Sequence, residues 1–103
     1  MQYANQHGYS DVTPYEIINW VSDKTIEVRL MAYKLDEDWK PEFHAGGFSA
    51  HCSNQSEQRY TYSSDEEEPI RRIRLHKNGR WFDKNGNQYR LSEKPRRFYD
   101  YNF

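Results

Sequence analysis

No segment of this chain carries apolar residues at the helical spacing i, i+3, i+4 and i+7 over three turns, and this absence constrains the fold more than any other feature. Instead, residues 25–33 alternate with a period of two: Ile26, Val28, Leu30 and Ala32 share one face, and Glu27, Arg29, Met31 and Tyr33 share the other. Such alternation is typical of an antiparallel strand with one buried face. The β-branched and aromatic residues of 15–21 predict a second strand, and residues 22–24 supply turn chemistry between the two. We therefore expect a hairpin over 15–33.

Two Asn-Gly pairs predict tight turns later in the chain. Asn78-Gly79 follows a strand-like segment at 70–76, and Asn85-Gly86 precedes another at 88–91. Asn-Gly favours a type I′ turn, in which both residues adopt positive φ. The repeated Lys-Asn-Gly triplet therefore predicts a three-stranded meander.

These patterns together predict an all-β, or nearly all-β, fold in a single small domain. We expect five to six short antiparallel strands, arranged as a strongly bent sheet or a partly open, SH3-like barrel. Residues 1–11 are polar and are expected to be a flexible N-terminus, and 12–103 the single β domain. That domain contains a long loop at 34–58, in which one short strand or helical turn is possible. The aromatic segment 98–103 is expected to dock as an edge strand.

The predicted core depends on aromatic side chains. The chain has 3 Trp, 9 Tyr and 5 Phe, more than its Ile, Leu and Val together, and each aromatic ring buries a large apolar area. Trp39, Phe43 and Phe48 are expected to anchor the long loop. The predicted core consists of Ile26, Val28, Leu30, Ile73 and Leu75, packed by Trp20, Tyr60, Tyr62 and Trp81.

The sequence contains few signals of cellular location. No apolar run reaches the roughly 18 residues of a transmembrane helix, the first residues do not form a signal peptide, and the one cysteine, Cys52, cannot form an internal disulfide. We therefore expect a cytoplasmic protein without a membrane partner.

The residues that could carry catalysis or bind metal do not form a recognisable motif. His44, His51 and Cys52 lie in the long loop, but they lack the short paired spacing of zinc ligands. Cys52 has no oxyanion-hole motif near it. Gly46-Gly47 is not followed by the Gly-Lys-Ser/Thr of a phosphate-binding loop. We expect no enzymatic activity and no cofactor.

The charge distribution is the most informative feature for function. Residues 1–70 carry 5 basic and 13 acidic side chains, a net charge of −8, whereas 71–103 carry 10 basic and 3 acidic, a net charge of +7. The whole-chain net charge of −1 argues against a protein that only coats nucleic acid. Opposite charges on the two parts favour charge-guided binding of a partner, or else neutralise each other within the molecule.

Two binding hypotheses follow. In the first, an acidic and aromatic loop binds a partner protein or a protein–nucleic-acid complex through Asp36, Glu37, Asp38, Trp39, Glu42 and Phe43. In the second, the basic segment 71–97 is a single-stranded nucleic-acid-binding module that uses Arg72, Arg74, Arg80 and Arg90 as a phosphate platform. Against the second hypothesis, Trp81 and Phe82 are neighbours on a strand and point to opposite faces, so at least one of them belongs to the core.

Several short motifs resemble those of small phage- and prophage-encoded proteins without a known activity. They are Ser10-Asp11 with Pro14-Tyr15, Phe43 with Gly46-Gly47-Phe48 and His51, Arg80-Trp81, and the segment from Tyr99 to Phe103. The resemblance implies a viral or mobile-element origin, hence the host cytoplasm, and it supplies no catalytic residues. With this resemblance, the partner of the first hypothesis becomes a host protein or a host protein–nucleic-acid complex, and the protein a non-enzymatic accessory protein that inhibits a host defence system.

Overall fold

The computed structural model describes residues 1–40, 42–46, 49–52 and 54–100, which form an all-β structure whose one helical element is a 3₁₀ turn. The elements are β1 (Tyr3–His7), β2 (Val12–Ser22), β3 (Thr25–Leu30), β4 (Ala32–Leu35), β5 (Phe43–Gly46), β6 (Ser49–Cys52), η1 (Gln55–Glu57), β7 (Tyr60–Ser63), β8 (Ile70–Leu75), β9 (Trp81–Phe82) and β10 (Gln88–Ser92). Six strands form a closed antiparallel barrel in the order β1-β10-β9-β8-β3-β2, while β4-β7 and β5-β6 form two-stranded sheets. The predicted all-β class is confirmed.

The barrel closes through β1, which pairs with a strand on each side. Tyr3 lies opposite Ser92 of β10 and opposite Glu16 of β2. The two ladders satisfy the backbone N–H and C=O groups of β1, and the small side chain of Ala4 is 0% exposed. The barrel is therefore closed, not partly open.

Within the predicted flexible N-terminus at 1–11, residues 3–7 form β1 and pair with a strand on each side. The polar composition of residues 1–11 predicted a flexible segment, but Asn5 of this strand is held by hydrogen bonds. The buried Asn5 donates from Nδ2 to the Lys94 carbonyl at 3.0 Å, and its Oδ1 accepts from the Arg96 backbone N–H at 2.9 Å. A buried polar residue with both ends satisfied is compatible with a stable strand.

The predicted hairpin over 15–33 is confirmed as β2 and β3, but the alternation breaks at its end. Met31 is buried, although the period of two placed it on the polar face. The chain leaves the barrel there, and Ala32 to Leu35 pair with β7 instead. A side sheet that branches from the barrel explains why the pattern reverses after Leu30.

The barrel core combines aliphatic and aromatic residues. The predicted Ile26, Val28, Ile73 and Trp81 are buried in it, and Leu30 and Leu75 pack against it partly exposed. Trp20 is 46% exposed, although its ring contacts Trp81 edge-on at a centroid distance of 6.0 Å. Tyr60 and Tyr62 belong to β7 in the side sheet, so their placement in the barrel core is wrong. The sequence analysis missed Ala4, Tyr15 and Tyr89, which complete the buried cluster.

The segment 34–58 has more regular structure than a loop. It includes the end of β4, the β5-β6 hairpin and η1. The prediction that Trp39 anchors this segment is confirmed, since its side chain is only 5% exposed. Phe48 and residues 101–103 lie outside the described residues. Of the predicted edge strand at 98–103, Phe98 forms one antiparallel bridge, to Val12.

Both Asn-Gly pairs lie at tight turns, but the turn type differs from the predicted one. Gly79 and Gly86 have φ of +80° and +85°, whereas no non-glycine residue of the described chain has positive φ. The first turn is closed by a hydrogen bond from the Gly79 N–H to the His76 carbonyl at 3.0 Å. This geometry is that of a three-residue loop, in which a type I turn is followed by a left-handed glycine.

We expect Gly79→Val to destabilise the protein by about 1–2 kcal/mol, because a β-branched residue strains the left-handed backbone. No heavy atom lies within 4 Å of a Cβ built at this position, so the cost comes from the backbone conformation and not from a steric clash. Gly79→Asn is the matched control, because asparagine tolerates this conformation. Urea denaturation compares the three proteins, and equal midpoints for Gly79→Val and wild type would contradict the turn assignment.

Candidate nucleic-acid interface

The outer face of β8, β9 and β10 brings the four predicted arginines together. Arg72 and Arg74 flank the buried Ile73 on β8, so both side chains point outward. Arg80 precedes the buried Trp81, and Arg90 follows the buried Tyr89. All four arginines are exposed. We name these residues, together with the exposed Lys84, the basic face: Arg72, Arg74, Arg80, Lys84 and Arg90.

The strand register places an aromatic residue within this face. Phe82 lies opposite Arg74 of β8 and opposite Gln88 of β10. Its side chain points outward because the neighbouring Trp81 occupies the core, and adjacent residues of a strand point to opposite faces. The ring lies 4.6 Å from the imidazole of His76, centroid to centroid, with the planes tilted by 55°. Neither Phe82 nor His76 was predicted as a site residue. An inward Trp81 would have placed Phe82 on the outer face, whereas no sequence signal indicated His76.

A groove opens where β8 and β9 part. Their ladder pairs Arg74 with Phe82 and Leu75 with Trp81, so residues 70–73 of β8 continue beyond it. The resulting groove has a volume of about 840 Å³. Its lining comes from β8, from the aromatic pair and from the β9–β10 turn: Ile70, Arg71, Arg72, Arg74, His76, Phe82, Asp83, Lys84 and Asn85.

The charge of the basic face is largely uncompensated. Arg72 forms an ion pair from Nε to Glu27 Oε2 at 3.4 Å. Across the described part of the chain, no carboxylate lies within ion-pair distance of Arg74, Arg80, Lys84 or Arg90. The acidic run Asp65–Glu68 therefore does not neutralise this face by direct pairing, which weakens the alternative of intramolecular neutralisation.

Asp83 holds the wall of the groove that carries Lys84. Its Oδ1 accepts the backbone N–H groups of Asn85 and Asn87 at 2.9 and 3.0 Å, and its Oδ2 accepts the Tyr89 hydroxyl at 2.9 Å. Burial opposes ionisation, but these hydrogen bonds and one from the Asn87 side chain outweigh it, so the pKa of Asp83 is lowered. Burial is also the main reason why the pKa of Tyr89 is raised. The ionised carboxylate thus fixes the β9–β10 turn.

Arg71 occupies the inner end of the groove. It lies opposite Val28 in the β3–β8 register, on the opposite side of β8 from Arg72. Its guanidinium carbon is 5.6 Å from the centroid of the Tyr15 ring, within the range of a cation–π contact. The groove therefore presents the cations of Arg71, Arg72, Arg74 and Lys84 together with one carboxylate, that of Asp83.

The acidic segment of the first hypothesis stays together, but its aromatic member turns inward. Glu37, Asp38 and Glu42 are exposed, while Asp36 is half-buried and Trp39 is buried. Asp36 organises the turn, because its Oδ1 accepts the Asp38 N–H at 2.9 Å and its carbonyl accepts the Trp39 N–H at 3.0 Å. This segment offers a partner charge without the predicted tryptophan anchor, and the structure does not describe the side chain of Phe43.

No group of three or more His, Cys, Asp or Glu residues in the described ranges is placed to hold a metal ion. In the backbone register of the β5-β6 hairpin, His44 pairs with His51 and Phe43 with Cys52. None of the helices in the described residues has the length and apolar character needed to cross a bilayer.

Comparisons with protein-family models, with curated proteins and with solved structures found no match for this chain. The resemblance to phage and prophage proteins therefore stays a prediction.

Proposed function

We propose that this protein binds single-stranded nucleic acid through the basic face. One observation carries the proposal: two arginines of β8, one that directly precedes β9 and one of β10 share a single outer surface, and most of them have no carboxylate partner in the described part of the chain. Phosphates supply the charge that such a surface lacks. The outward Phe82 adds an apolar contact for bases, in the manner of sheets that bind single strands.

The uneven distribution of charge supports this orientation. The whole chain is close to neutral, so a polyanion is not attracted to every surface. The excess of acidic residues in 1–70 repels it, while the basic face attracts it. The field of the protein thus guides a nucleic acid to one side of the barrel.

The runner-up function is inhibition of a host protein or protein–nucleic-acid complex through the acidic segment around Asp36 and Glu42. Phage or prophage origin would suit this role. Its weakness is the burial of Trp39, since charged side chains without an aromatic or arginine anchor seldom provide most of the binding energy of an interface.

The salt dependence of binding tests the proposal. A fluorescently labelled 20-nucleotide oligo-dT and an oligo-U of the same length are titrated with the protein at several salt concentrations, and anisotropy is measured. If four phosphates are contacted, the slope of log K against log salt is roughly −3, and affinity falls about 50-fold between 50 and 200 mM salt. The proposal fails if neither oligonucleotide binds tighter than micromolar at 50 mM salt, or if the slope is near zero.

A further inference from the structure

Phe82 is the one phenylalanine among the residues that line the groove between β8 and β9. The strand directs its side chain away from the core, and it is only half-buried on a surface formed mainly by cations. Its register neighbours on that surface are Arg74 and Gln88. The exposed part of the ring is available to a ligand.

His76 provides a second ring beside that of Phe82. The two rings are 4.6 Å apart at their centroids and tilted by 55°. They therefore form adjoining walls, not a closed face-to-face stack. Both residues line the groove between β8 and β9. Its volume of about 840 Å³ is in the upper part of the range typical of small-ligand sites, roughly 300–1,000 Å³.

We infer that this groove binds one unstacked nucleobase against Phe82 and His76. The inference rests on the proposed function and specifies its ligand. Arg72 and Arg74 on one wall and Lys84 on the other provide cations for the phosphates on either side of the base. In a duplex, the faces of the bases are covered by their neighbours, so this site selects single strands.

Phe82→Leu tests the inference because it removes the aromatic ring and keeps an apolar side chain and every charge. Two 20-nucleotide probes are compared by anisotropy at equal salt: oligo-dT, and a phosphodiester of the same length in which every base is missing. Loss of one base stack is expected to weaken oligo-dT binding by roughly 5- to 150-fold. Binding of the abasic probe should stay unchanged. Phe82→Trp, which restores an aromatic face, should bind oligo-dT as tightly as wild type or tighter.

Tyr33→Leu is the matched control, since Tyr33 is a partly exposed aromatic residue of the β4-β7 side sheet and does not line the groove. It should bind both probes like wild type. If Phe82→Leu binds oligo-dT with wild-type affinity, the proposed base site is wrong. It is also wrong if Phe82→Leu loses affinity for oligo-dT and for the abasic probe by the same factor. In both cases, binding of the two probes by the wild type would still support phosphate binding by the basic face. If wild type binds neither probe, the proposed function itself is wrong.

Discussion

Arg74→Glu combined with Arg90→Glu is expected to abolish oligonucleotide binding, with a loss on the order of 100-fold or more at 100 mM salt. The two residues lie on β8 and β10, on either side of Phe82, and neither has an ion-pair partner in the described structure. Each reversal removes a phosphate contact and places a carboxylate where a phosphate would bind. The slope of log K against log salt should also shrink by about 1.4, since each phosphate contact on a single strand contributes about 0.7.

The control for this variant is Lys40→Glu combined with Arg59→Glu. Both residues are exposed and lie outside the basic face, and the double reversal changes the net charge of the chain by the same amount. It should retain most of the wild-type affinity. An equal loss in the two double variants would mean that net charge, and not the arrangement of the basic face, determines binding. Circular dichroism spectra should confirm that all three proteins have the same fold.

Ile73→Ala is expected to cost about 2–5 kcal/mol of unfolding free energy, because it removes methyl and methylene groups from the centre of the barrel. Ile73 is 0% exposed and belongs to the cluster formed by Ile26, Val28 and the buried aromatic residues. A closed barrel has little freedom to collapse around the missing groups, because its strands are paired on both sides. Urea denaturation at 25 °C measures the loss.

The same strand offers the control. Ile70 begins β8 and is 51% exposed, so Ile70→Ala removes the same atoms from the surface. Its expected cost is below about 1 kcal/mol. Similar losses for the two variants would show that the inward and outward faces of β8 are assigned incorrectly.

Strands in which apolar and polar residues alternate could be predicted from the sequence. A strand without this alternation, such as β1, could not. Ile26 and Val28 on β3, and Ile73 on β8, mark one buried face by side chain alone. β1 carries polar residues, and its stability comes from two ladders and from the hydrogen bonds of Asn5. The reversal at Met31 depends on which strand comes to pair with β4, and that information is not local.

The candidate site could also be predicted only in part. The outward position of the arginines follows from alternation around Ile73, Trp81 and Tyr89, so their common face could be predicted once the meander was recognised. The groove could not, because it exists only where the two-residue strand β9 stops and β8 continues. The burial of Trp39 was expected for an anchor of the long loop, and it contradicts the use of the same residue as a contact for a partner.

The closure of the barrel by β1 has a consequence for the order of folding. Hairpin β2-β3 and the β8-β9-β10 meander join segments that are close in the chain, whereas Tyr3 must meet Ser92. β1 can pair with β2, its neighbour in the chain, but its second edge stays open until residues 88–92 reach it. Closing so long a loop costs entropy before any contact compensates for it, and such non-local pairing slows folding. The strand with the least distinctive sequence therefore determines when the barrel is complete.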